Sequence, residues 1–94
     1  MNNLEIINFL GGLISKNLDI SPPAGRGLIK LAIKDELGPF SDHLKMSIEK
    51  YVIVIKNSLK IRLHALKIKN SSSITKFLID KLIKSQSLLT LGAI

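Results

Sequence analysis

Cysteine and tryptophan are both absent from this 94-residue chain. Without cysteine there are no disulfide staples, no thiolate metal site and no cysteine nucleophile, and the redox compartment stays open. The aromatic residues are Phe9, Phe40, Tyr51 and Phe77. Scattered among aliphatics rather than interleaved with cations, they read as core and not as a platform for stacked bases. Long apolar runs are missing too. The longest uninterrupted one is 51–55, far short of the roughly 20 residues that a membrane-spanning helix needs. The opening Met1-Asn2-Asn3-Leu4-Glu5 lacks the basic start of a secretory signal, so the default compartment is the cytoplasm.

Catalytic constellations are equally sparse. His43 and His64 lie 21 positions apart, with no acidic cluster beside either, which gives no metal-ligand pattern. Asp35 and Glu36 are consecutive, hence splayed around a helix rather than paired for acid–base work. Carboxylates in a last helical turn oppose the helix dipole, which calls for a Lys or Arg from elsewhere to pair with them. Gly25-Arg26-Gly27 beside Lys30 at a helix start is friendly to a phosphate. It is neither a Walker loop nor a dinucleotide fingerprint, and its glycines read first as room for a close helix approach. No serine sits in a nucleophile elbow. The expectation is a protein that is not an enzyme and carries no cofactor.

Aliphatic residues are abundant, with Ile and Leu filling 31 positions, a content that excludes intrinsic disorder and suits one packed domain over 1–94. Formal net charge is +7, and it is unevenly spread. Residues 1–44 carry four basic and five acidic groups, whereas 45–94 carry ten basic groups against Glu49 and Asp80. A one-sided positive field of this kind attracts nucleic acid, anionic lipid or an acidic protein. Twelve of the cations are lysine, the ordinary residue of a solvated helix face.

The pattern along the chain predicts an all-α bundle of four helices, at about 4–18, 22–37, 41–68 and 72–89. In the first, Leu4, Ile7, Leu10, Ile14 and Leu18 recur at spacings 3, 3, 4, 4, interrupted by Gly11-Gly12, which marks a weak point or a close crossing. Ser21-Pro22-Pro23 is a helix start, since serine caps and proline gives up only an N–H that the first turn leaves unpaired. Gly38-Pro39 is a stop. Asn70-Ser71-Ser72-Ser73 offers caps for the last helix, whose apolar stripe is Ile74, Phe77, Leu78, Leu82 and Ile83.

The centre has two readings. As a helix, Leu44, Ile48, Val52, Ile55, Leu59, Leu63 and Leu66 fall at spacings 4, 4, 3, 4, 4, 3, an arc of about 100°, the width of a core stripe. The alternative is α+β, with a hairpin at 51–65 built on Tyr51-Val52-Ile53-Val54-Ile55 and the alternation from Leu59 to Ala65. The helix is preferred because its period crosses the supposed turn without a slip, and Asn57-Ser58 lacks a hairpin glycine. A second apolar set on this helix, Met46, Ile53, Ile61 and Ile68, lies roughly opposite the first.

From Pro22 onward the order of short helix, loop, long helix of nearly thirty residues, loop and short helix resembles the histone fold, with Pro23-Ala24-Gly25-Arg26 at the start of its first helix. That resemblance implies a dimer holding DNA phosphates through Arg26 and the loops. Two departures stand out: Lys69 to Ser73 lacks the arginine–threonine pair such proteins use there, and an extra helix precedes the first.

Together these features predict a non-enzymatic protein–protein interaction module, a homo-oligomer or adaptor subunit using an apolar helix face. Its interface candidates are Met46, Ile53, Ile61 and Ile68, followed by Leu88, Leu89 and Leu91 in the uncharged tail. The alternative is sequence-independent nucleic-acid binding through Arg26, Lys30, Lys45, Lys56, Lys60, Arg62, Lys67 and Lys69, which high salt would abolish. A third option is peripheral contact with an anionic membrane through the basic second half.

Overall fold

A computed structural model describes residues 2–39 and 46–92, with the backbone alone over 86–92. Four helical rods pack around one aliphatic core, and no strand occurs among the described residues. The first two rods are α1 (Asn3–Leu18) and α2 (Pro22–Leu37). A central rod joins α3 (Ile48–Val54), a π-helical segment (Ile55–Leu59) and α4 (Lys60–Ala65). The last rod is α5 (Ser71–Gly92). The hairpin alternative at 51–65 is thereby set aside.

Local chemistry sets the ends. Asn2 and Glu5 form a reciprocal capping box, in which Asn2 Oδ1 accepts from the Glu5 N–H at 2.8 Å. The hydroxyls of Ser21 and Ser47 accept from the amides of Ala24 and Lys50, each at 3.3 Å. Pro22 and Pro23 occupy the first two positions of α2. At the other ends, Gly38 takes φ 92°, and Asp19 and Lys67 adopt the left-handed conformation.

The core comprises Ile6, Ile7, Leu10 and Ile14 of α1, Ile29, Ala32 and Ile33 of α2, five residues of the central rod, and Ile74, Leu78 and Leu82 of α5, joined by Met46. Three expected core positions lie outside it. Leu4 is exposed in the first turn of α1, and Phe77 and Ile83 flank the α5 stripe instead of belonging to it.

The central rod departs most from simple periodicity. Its fully buried residues include Tyr51, Ile55, Leu59 and Leu63, spaced by four each time. At 3.6 residues per turn such a row drifts by about 40° per interval, or about 120° from first to last. The π segment, with its i→i+5 bonds and more residues per turn, absorbs that drift. The same register puts Ile48 and Val52 half out of the core, although the expected stripe had them in line.

The rod is also shorter than the expected 41–68. Its three pieces span 7, 5 and 6 residues, preceded by non-helical Met46 and Ser47. It ends where Lys67 turns left-handed and the Ile68 amide bonds back to the Leu63 carbonyl at 3.0 Å. Leu66 is left exposed past the core. The histone-like layout loses its long middle helix. Leu44, at the start of the expected stripe, lies outside the described residues.

Two of the glycines explain how α1 and α2 cross. A Cβ on Gly25 would fall on the carbonyl oxygen of Gly11, and one on Gly11 would lie 2.6 Å from Arg26 Cγ and 2.8 Å from its amide nitrogen. Gly12 and Gly27 face open space. Replacing Gly25 with alanine is therefore expected to cost about 2 kcal/mol through overpacking, while Gly12→Ala and Gly27→Ala gain up to about 1 kcal/mol from helix propensity. Urea unfolding of the three variants measures the contrast.

Candidate functional site

The π segment does more than correct a register. It presents Asn57 and Ser58 to the end of α2, where Glu36 accepts from Asn57 Nδ2 at 3.1 Å and from the Ser58 hydroxyl at 2.9 Å. One turn on, Arg62 holds Asp35 in a bidentate ion pair through Nε and Nη2. The cation expected to answer the Asp35-Glu36 pair is Arg62. Hydrogen bonds from the Arg62 guanidinium, reinforced by its charge, hold the Asp35 carboxyl below its usual range. Donation from Asn57 and then Ser58 lowers that of Glu36. These contacts dock α2 on the central rod. Tyr51, buried in the core, donates to Asn3 Oδ1 at 2.7 Å, and burial pushes its phenol up to about 12.

Opposite the buried row, the four-residue register runs through Glu49, Ile53, Asn57, Ile61 and Ala65, all exposed. Ile53 is 40% exposed and Ile61 69%. Lys56, Lys60 and His64 follow the adjoining row, also exposed. A shallow depression of about 500 Å³ is lined here by Lys60, Ile61, His64 and Ala65. Of the four isoleucine-strip candidates, then, only Ile53 and Ile61 face solvent. Met46, outside the helix, is buried in the core, and Ile68, folded back after the Lys67 turn, is half-buried against it.

A second open face lies on α5. Phe77 and Ile83 are 38% and 50% exposed, and with Ser73, Lys76, Ile79 and Asp80 they line a shallow depression of about 560 Å³. Against Lys76, Lys81 and Lys84 the helix sets one acid, Asp80. Lys84 pairs with Asp80 at 3.1 Å, and Lys81 sits 5.5 Å from the centroid of the Phe77 ring. Phe77 and Ile83 border the core arc of α5, where hydropathy alone points inward. Their Lys81 and Lys84 neighbours were the available sign of an outer position. The candidates Leu88, Leu89 and Leu91 fall in the last turns of α5, beyond the described side chains.

The predicted anion contacts do not form one site. Arg26 is wedged against Gly11 in the α1–α2 crossing, and Arg62 is committed to Asp35. Lys30 is exposed on α2, Lys56 and Lys60 on the central rod, and Lys67 and Lys69 in the turn after it. Lys45 and His43 lie outside the described residues. Among the described residues no three His, Asp or Glu side chains gather as metal ligands, and no helix is long and apolar enough to cross a membrane. Comparison with protein-family models, curated proteins and solved structures finds no match for this chain.

Because both carboxylates have lowered pKa values in the folded state, their stabilising effect is complete above their unfolded values of 3.8 and 4.5 and fades as pH falls through the folded ones. Melting temperature is expected to drop on acidification from about pH 5 to pH 3, less steeply in Glu36→Gln and Asp35→Asn. Thermal melts followed by circular dichroism across that range check this.

Proposed function

We propose that this chain is a non-enzymatic protein-interaction module, a homo-oligomer or adaptor subunit, that docks through an apolar helix face. The observation that carries this reading is the outer side of α5, where Phe77 and Ile83 stand in solvent beside an already paired Asp80–Lys84. A partner covering this side buries aromatic and aliphatic area beside an acid already answered by Lys84, the apolar composition of an interface centre. Leu88, Leu89 and Leu91 of the same helix stay candidates on their sequence. An open, shallow depression is shaped for a surface more than for a reaction.

Sedimentation velocity on the full chain tests the proposal. Concentration-dependent association is expected, weakened at least about tenfold by Phe77→Ser with Ile83→Ser, whose folded stability stays within about 1 kcal/mol of the parent because both positions are solvent-facing. A chain that remains monomeric to high micromolar concentration contradicts the homo-oligomeric form.

A further inference from the structure

The outward side of the central rod carries one carboxylate, Glu49 at its start, against exposed Lys56 and Lys60. Between Glu49 and Asp80 the sequence has no acidic residue and seven cations. The carboxylates that α2 brings to this rod, Asp35 and Glu36, are taken up by Arg62, Asn57 and Ser58. Lys56, Lys60, Lys67 and Lys69 are exposed, and neither ion pair in the described structure includes any of them. Among these lysines stand two exposed isoleucines, Ile53 and Ile61, two turns apart on one row.

A second copy is a poor occupant, because a two-fold contact sets the same patch against itself and would bring Lys56 and Lys60 against like charge. Nucleic acid would answer the lysines but gains nothing from bare isoleucines, and the arginine of this rod, Arg62, the better kind of phosphate ligand, is held by Asp35. An anionic bilayer answers both features at once. Aliphatic side chains enter the acyl boundary, while lysines reach back along their stems to the headgroups. We infer that the exposed side of the central rod, through Ile53, Ile61, Lys56 and Lys60 with Lys67 and Lys69 beside them, lies on an anionic membrane surface. This face is separate from the α5 face of the proposed function.

Co-sedimentation of the full chain with phosphatidylcholine vesicles containing about 30% phosphatidylserine tests the inference. Binding is expected at low salt, absent on pure phosphatidylcholine and lost at about 0.5 M salt. Lys56→Glu with Lys60→Glu should weaken it by about thirtyfold or more, since each lysine near such a surface contributes about fivefold. Lys30→Glu with Lys34→Glu, which changes net charge equally on α2, should weaken it by no more than about threefold through the long-range field. Ile61→Ser should cost about fivefold by removing inserted aliphatic area. Melting curves establish that each variant is folded, and Lys56→Ala with Lys60→Ala replaces the first pair if it is not. No binding to the anionic vesicles at low salt overturns the inference, as does equal weakening by the two charge-reversed pairs. Tighter binding to duplex DNA than to vesicles, unaffected by Ile61→Ser, overturns it in favour of nucleic acid.

Discussion

The arrangement depends on a mismatch between two periods. Tyr51, Ile55, Leu59 and Leu63 repeat every four residues, and an α-helix turns every 3.6. A straight α-helix would sweep that row across a third of its circumference and leave either Tyr51 or Leu63 in water. The chain resolves the conflict by widening one turn at Ile55–Leu59. A π turn is a weaker backbone solution than an α turn, and the burial of four large side chains at 0–1% exposure offsets that cost.

Two consequences follow from the widened turn. It aims Asn57 and Ser58 at Glu36, which lets α2 end on a pair of carboxylates despite the unfavourable dipole. It also brings Ile53 and Ile61, which α geometry would separate by about 80°, into one solvent-facing row. Two outer surfaces result: α5, where Phe77 and Ile83 flank the Asp80–Lys84 pair, and the central rod, whose exposed Lys56 and Lys60 belong to neither ion pair of the described residues. An aromatic and aliphatic patch around an ion pair suits a protein partner, and lysines beside aliphatics suit an anionic lipid surface.

Helix number and most helix ends were legible from residue types because each end is a local event: a serine hydroxyl, a proline pair, a glycine at positive φ. Gly11 and Gly25 were legible as a close crossing for a similar reason. The register of the central rod was not, because several face assignments fit a mixed 3-and-4 spacing and only packing against α2 and α5 chooses among them. Tyr51 entered the core in place of Val52 on that account. Met46 and Ile68 leave the outer row because the helix stops short of both: Ser47 caps it on one side, and a left-handed lysine, a residue type that seldom marks a stop, ends it on the other. Phe77 and Ile83 sit on the border of the α5 arc, where hydropathy alone points inward.

Urea unfolding of the chain lacking Asn57, compared with a chain carrying one extra alanine after Asn57, tests the register most directly. Deletion turns the spacings 4, 4, 4 into 4, 3, 4, which an ordinary α-helix satisfies. The deleted chain should therefore fold within about 2 kcal/mol of the parent, losing mainly one hydrogen bond to Glu36. Insertion carries the drift further and should abolish cooperative folding. Equal damage from both changes, or a deleted chain that fails to fold, would contradict the account.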